Sequence, residues 1–329
     1  MAHPLARTAA VAVAVAGTLL ICVVPSGREL TVPVPRGLEL FAPTPANNTP
    51  TDARVELGRR LFSDRALSAD RSVSCASCHR PDHVFADDVP ASPGVYGRRG
   101  RRNTPSLLNV AYARHLTWDG RSSTLEEQVL KPIQDSVEMD LSLDELVARL
   151  GSQDEYRTEF RRAYGEPVSA DGVARALSAF LRTLRSGDAP LDRHRAGDPG
   201  ALSDSAGAGF QLFVGKARCW LCHAGPTLTD GDFHNTGVAA RSGSDDLGRF
   251  THSRDPTDLR AFRTASLRNV DRTAPYMHDG SFGTLEQVID FYDEGGGPDA
   301  LRDVDVRPLN LSPQEKSQLA AFLRSLSGT

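Results

Sequence analysis

Two short clusters hold the residues best suited to chemistry: Cys75-x-x-Cys78-His79 and Cys219-x-x-Cys222-His223. Two thiols three positions apart followed directly by an imidazole is the attachment sequence for haem c. The thiols bond covalently to the haem vinyl groups and the histidine ligates the iron. A zinc site would space its cysteine pairs some 15–20 residues apart, and a redox dithiol would stand in a βαβ setting. Neither condition is met, so the chain is expected to carry two covalently bound haems c, with His79 and His223 as axial ligands.

The elements that must position these clusters are duplicated. Gly58-x-x-Leu61-Phe62 returns as Gly209-x-x-Leu212-Phe213 ahead of the second cluster. Ser106, Leu107, Asn109, Val110, Asp119, Gly120, Thr124, Leu125 and Glu126 return 160 positions later, from Ser266 to Glu286, without a gap. Ala179–Leu184 returns as Ala321–Leu326. The reading is two homologous domains, 51–190 and 200–329, joined through a Gly/Pro/Asp/Arg-rich stretch at 187–204. Thr124 with Glu127, Ser142 with Glu145, Thr284 with Gln287 and Ser312 with Glu315 are helix N-cap patterns before apolar residues at helical spacing. Strand signals are scarce. The fold class is therefore all-α, two cytochrome c-like helical domains with irregular loops around the cofactors.

Composition agrees with a globular chain that can bury a substantial core. The 329 residues are 40% hydrophobic and 24% charged, with a net charge of −4. Removing residues 1–26, whose only Asp, Glu, Lys or Arg is Arg7, leaves −5, which speaks against nucleic acid as a partner. The apolar run at 8–24 behind Arg7 reads as a signal peptide or N-terminal anchor, placing the mature chain in the periplasm or otherwise outside the cytoplasm. Cys22 belongs to that run, and residues 27–50 read as a linker.

The repeat also separates the two irons. The helix opening at Thr284 carries Tyr292, and 160 positions earlier stands Pro132. If equivalent helices cover the distal faces, one iron meets a phenol and the other a proline, which cannot ligate. One site is then closed and one open. Gln128, one turn before Pro132, is expected to face the open pocket. Tyr292 as a packing aromatic, and Met277 or His278 as the sixth ligand, are the alternatives.

Taken with the stretches LGRRLFSD, RRNTPSLLN, TWDGR, LEEQ, KPI, VEM, TASLRNV, APYMHDG and TLEQVIDFY, these features make the chain resemble the bacterial di-haem cytochrome c peroxidases over residues 50–328, and in part their MauG branch. The resemblance implies that Trp118 links the haems electronically and that Gln128, Pro132 and Glu138 form the peroxide pocket, with Glu138 shuttling protons. It further implies an inter-haem calcium ion held by Asn103, Thr273 and Pro275. The second histidine that blocks the peroxidatic iron of reductively activated members falls at Val95, and His83 is a poor substitute. Tyr292 stands where those members place Met and the MauG branch places Tyr. The tryptophan through which MauG reaches its partner would fall near Ala217. Arg98, Arg99, Arg101 and Arg102, just before Asn103, are expected to favour the haem propionates over a solvated loop or an acidic partner.

The expected function is reduction of hydrogen peroxide to water with electrons from a small redox protein, a cytochrome c or cupredoxin. The alternatives are a MauG-type enzyme oxidising residues of a partner protein, and a plain di-haem electron carrier. Family members are often homodimers.

Overall fold

The computed structural model describes residues 29–329; the expected leader or anchor at 1–26, with Cys22, lies outside them. The helices are α1 (Asp52–Ser63), α2 (Cys75–Cys78), α3 (Leu125–Gln128), α4 (Lys131–Gln134), α5 (Leu143–Gly151), α6 (Asp154–Tyr164), α7 (Ala170–Leu181), α8 (Pro190–Arg195), α9 (Asp204–Val214), α10 (Val238–Ser242), α11 (Phe250–Ser253), α12 (Leu285–Asp293) and α13 (Pro313–Arg324). The strands among the described residues are one antiparallel pair, β1 (Phe233–His234) and β2 (Phe262–Arg263). Thr124, Ser142, Thr284 and Ser312 each accept the amide of the residue three positions on, as their cap patterns require.

Two apolar cores form. One spans Val55 to Leu184 and the other Leu191 to Leu326. Each is nailed by one helix crossing at a glycine. A Cβ on Gly58 would lie 2.0 Å from the Ala176 carbonyl oxygen, and one on Gly209 would lie 2.0 Å from that of Gln318. Glycine weakens a helix interior by roughly 0.5–1 kcal/mol, yet here it lets α1 meet α7, and α9 meet α13, backbone to backbone. The duplication therefore reaches the level of single atoms. Glu126 pairs with Arg182 and Glu286 with Arg324 across matching helices.

The repeat axis passes close to Ser186. The Asn109 side chain exchanges hydrogen bonds with the Ser186 backbone at 2.9 and 3.0 Å, while Asn269 donates to Ser186 Oγ at 2.8 Å. Both asparagines adopt left-handed backbone, φ 61° and 58°, a region their short polar side chains tolerate. Residues 29–50 run largely extended and are bonded along both units. Arg185 donates to the Val32 carbonyl, Tyr112 to that of Glu39, and Arg268 to that of Gly37. Arg268 is in turn held by Asp192 through two bonds of 2.8 and 2.9 Å, with both side chains almost fully buried.

Candidate active site

The two Cys-His clusters open onto one continuous cavity of about 940 Å³, lined by Cys75, Cys78, His79, Cys219, Cys222 and His223 together with mostly apolar side chains from both units. Ser74 and Ser77 cap the turn of α2, so the two thiols lie on one face of a single helical turn and His79 follows at its end. His79 Nδ1 lies 3.1 Å from the Phe85 carbonyl oxygen, and His223 Nδ1 lies 3.2 Å from that of Leu228. Each ring thus donates Nδ1–H to a backbone carbonyl and keeps Nε2 free as a metal ligand, the usual way a ligating imidazole is oriented. Burial lowers the pKa of both, holding them neutral as ligation requires. The accepting carbonyls are presented by left-handed residues, Phe85 at φ 57° and Leu228 at φ 53°.

The four cysteines of the two clusters are free and half-buried. Burial pushes the Cys75 and Cys219 thiols up to about 12, and Cys78 to about 11. These three thiols are protonated, unlike those of nucleophilic cysteines. Cys222, Asp230 and His234 converge within 4.8 Å, a metal-like grouping. Thioether formation at Cys222 would withdraw the sulfur from it. His234 is held up to about 10 by Cys222 and by Asp303 and Asp230, which lie 2.6 and 3.0 Å from its ring nitrogens. After haem attachment the two carboxylates alone remain to favour the imidazolium.

On the distal side the units diverge. In the second, α12 is continuous and Tyr292 is its penultimate residue, lining the cavity. Burial, then the nearby Cys222 and Cys219, push its phenol well above the ordinary value. In the first, the corresponding stretch divides into α3 and α4, but Val129 and Leu130 between them keep right-handed helical backbone, and Pro132 stands in the first turn of α4, where its missing N–H is tolerated. Gln128 and Pro132, four positions apart along this helical path, both line the cavity. Gln128 Oε1 accepts from Ser122 Oγ at 2.7 Å, and Lys131 Nζ donates to the same hydroxyl at 2.7 Å.

Glu138 also lines the cavity, and its carboxyl has no hydrogen-bond or ion-pair partner among the described residues. Burial pushes its pKa up and the Asp135 charge adds to this, with Arg121 opposing. The segment beneath is fixed from behind: Val95 N–H donates to the Glu138 carbonyl at 2.8 Å, and a Cβ on Gly94 would lie 2.1 Å from the Val137 carbonyl oxygen. Val95 itself is fully buried. His83 Nε2 points to the Ala274 carbonyl, 3.4 Å away, and is not part of the cavity wall.

Between the clusters the repeat crosses over itself. Asn103 N–H donates to the His278 carbonyl at 2.7 Å, and Arg263 N–H donates to the Trp118 carbonyl at 2.8 Å; these four residues are two pairs related by the 160-residue shift. Trp118 Nε1–H donates to the Asn103 carbonyl at 2.8 Å. His278 stacks on Phe262 with centroids 3.6 Å apart and meets the Trp118 ring edge-on at 6.5 Å. The Asn103 amide donates to the Val89 carbonyl at 3.1 Å, leaving Oδ1 and the Thr273 and Pro275 carbonyl oxygens without partners among the described residues. All three residues line the cavity.

Of the four arginines before Asn103, three are engaged by protein groups away from the cavity rather than facing it as expected. Arg98 holds Asp140, Arg99 the Ala91 carbonyl and Arg101 Asp245. Arg102 alone of the four lines the cavity, clamped between Asp119 and Asp246 at 2.6–2.8 Å. The carbonyls of Phe85 and Leu228, His234 and Arg263 were missed by motif reasoning. The first two are backbone groups without side-chain identity, but Arg263 was visible as the repeat partner of Asn103.

A profile of di-haem cytochrome c peroxidases matches residues 52–200. The chain is 41% identical over 283 residues to the methylamine utilization protein MauG of Methylorubrum extorquens, covering 85% of this chain and 79% of that protein. It is 35% identical to the cytochrome c551 peroxidase of Pseudomonas aeruginosa, covering 84% and 80%. A crystal structure of a MauG-like protein associated with microbial copper homeostasis superposes with TM-score 0.81 at 36% identity, covering 90% of this chain and 93% of that one. With both attachment sites built alike around one cavity, the chain belongs to the di-haem cytochrome c peroxidase family, oxidoreductases that carry two c-type haems.

Proposed function

We propose that this protein reduces hydrogen peroxide to water at the His79 site, with electrons supplied through the His223 site by a small redox protein such as a cytochrome c or cupredoxin. The observation that carries this is the unequal pair Pro132 and Tyr292 in otherwise duplicated surroundings. When bound, the haem at Cys75 and Cys78 supplies an iron on which peroxide can bind and be cleaved. The chain does the rest. His79 would hold that iron through Nε2, while Pro132 offers no ligating atom. Glu138, at a raised pKa, accepts a proton from peroxide and returns it to the departing oxygen. Gln128, fixed by Ser122, orients the bound peroxide. At the other site, His223 and Tyr292 are the residues that would hold the second iron.

Trp118 lies between the two sites and is assigned as the electronic link. Asn103 Oδ1 and the Thr273 and Pro275 carbonyls are assigned to a calcium ion, which accepts such an oxygen-only, partly hydrated set. The two domains are assigned to 51–190 and 200–329, with Leu191 of the joining stretch packed in the second core. Among the described residues no helix is long and apolar enough to cross a membrane; export to the periplasm rests on the N-terminal apolar run.

Tyr292 favours a second reading, in which peroxide drives oxidation of residues on a partner protein, as the similarity to proteins named MauG suggests. Steady-state turnover of peroxide with reduced cytochrome c decides. Fast turnover supports the first reading, and a protein that reacts with peroxide but draws no electrons from cytochrome c or a cupredoxin supports the second. No reaction with peroxide would leave only electron transfer.

A further inference from the structure

Among the described residues, Arg263 is the cavity-lining arginine that is not exposed and yet faces no carboxylate. Its Nε donates to the Thr117 carbonyl at 3.0 Å and Nη1 to the Thr264 carbonyl at 3.1 Å. These are neutral acceptors, and no carboxylate lies within ion-pair reach among the described residues. The other cavity-lining arginines that are not exposed each face one: Arg102 holds Asp119 and Asp246, Arg218 holds Asp305, Arg268 holds Asp192, and Arg121 faces Asp119 at 3.9 Å. Burial alone depresses Arg263, to about 10, so it remains cationic at neutral pH. Arg263 is half-buried on the cavity wall, and once the cavity is filled its guanidinium loses water with no counter-charge from the protein, which is unfavourable. The anion that relieves it must come from the cavity.

A second orphan stands beside it. His278 is 4% exposed, and its Nε2 is enclosed with no hydrogen-bond partner among the described residues. Its ring is stacked on Phe262, the residue before Arg263. Trp118, its counterpart in the first unit, has its ring N–H satisfied by a carbonyl. The position of Arg263 also says which cofactor is concerned, since Ala265, two residues on, presents its carbonyl to His223.

We infer that Arg263, its guanidinium aimed by the Thr117 and Thr264 carbonyls, binds a carboxylate of the haem attached at Cys219 and Cys222, with His278 Nε2 as a second donor. The repeat gives this an internal counterpart. Asn103, which Arg263 replaces in the second unit, presents a neutral oxygen towards the same inter-haem region, so the second unit builds in a fixed cation where the first does not. Neutralising a carboxylate beside an iron favours the reduced state. Arg263 is thus a positioning and potential-setting residue, acting through the haem substituent rather than on the substrate.

The test is a redox titration of the purified holoprotein, following the low-spin signal of the His223 haem by electron paramagnetic resonance, with haem content from the pyridine haemochrome. Arg263→Gln is expected to retain two haems and to shift the ferric/ferrous balance of that haem about tenfold towards ferric, ~59 mV for one electron. Arg263→Lys keeps the charge but loses the Nε bond to Thr117, and should stay within a factor of two of the parent. A Gln variant indistinguishable from the parent overturns the inference. So does a Lys variant shifted as far as Gln, since that would mark the two carbonyl bonds, not the charge, as what matters. If Arg263→Gln does not accumulate, Arg263→Met, which also removes the charge, is read in its place on the same criterion.

Discussion

Replacing Glu138 by Gln tests the proton shuttle with little change of shape. The wild-type carboxyl stands on the cavity wall with no partner to share its proton, and burial followed by the Asp135 charge raises its pKa. A base of raised pKa is closer to matching the proton it must take from peroxide at neutral pH. Losing such a group typically lowers a rate by roughly 10²–10⁴-fold, about 2.7–5.5 kcal/mol of barrier at 1.36 kcal/mol per decade. The assay is stopped-flow absorbance under excess peroxide, following the loss of the resting Soret band as a function of pH. In the parent the rate should climb as pH rises through the raised Glu138 pKa, because the charged form is the base; in Glu138→Gln that limb should vanish. Asp135→Asn removes the second cause of the shift while keeping the side-chain oxygen that accepts Val137 N–H at 2.9 Å, so the limb should move to lower pH. An Glu138→Gln rate within a few-fold of the parent, with the limb intact, would refute the role of Glu138.

Tyr292→Phe should convert the low-spin haem to a five-coordinate, high-spin one visible by electron paramagnetic resonance, and an unchanged spectrum would make Tyr292 a packing aromatic. Gly58→Ala should lower Tm by several degrees, since overpacking on the order of 1–3 kcal/mol outweighs the ~1 kcal/mol helix preference for Ala; a rise in Tm would contradict the backbone contact with Ala176. Asp192→Asn leaves the buried Arg268 charge unmatched and should cost about 3–5 kcal/mol in denaturant unfolding. Burial raises the Asp119 pKa, but Thr117 and the charges of Arg102 and Arg121 hold it well below the usual range; its stabilisation is full above the unfolded value of ~3.9 and is lost as pH falls below it, so Asp119→Asn should flatten the acid limb of stability against pH. Calcium chelation and Asn103→Ala should perturb the spectra of both haems alike, and chelation without effect would remove calcium from the account.

The fold was legible because duplication leaves matching letters: the glycines at 58 and 209, the asparagines at 109 and 269 and the capping threonines all proved to occupy matching roles. The attachment sites were legible for a different reason, since covalent chemistry fixes both residue type and spacing. What could not be read was whatever depends on the chain meeting itself far away. The division into α3 and α4 was hidden because Pro132 is compatible with a helix start as well as an interruption, but the backbone stays helical across it, and Gln128 and Pro132 line the same wall. The arginines at 98–102 looked free because their partners, Asp140, Asp245 and Asp246, lie up to 144 positions away. Arg263 looked ordinary for the converse reason: only the three-dimensional structure shows that no carboxylate reaches it.

The most direct test of one open and one closed iron is a low-temperature electron paramagnetic resonance spectrum of the air-oxidised holoprotein before and after one equivalent of peroxide. The account predicts a high-spin ferric signal beside a low-spin one, with the high-spin signal lost on peroxide. Two low-spin signals indifferent to peroxide would contradict it, showing that a sixth ligand closes the His79 site despite Pro132.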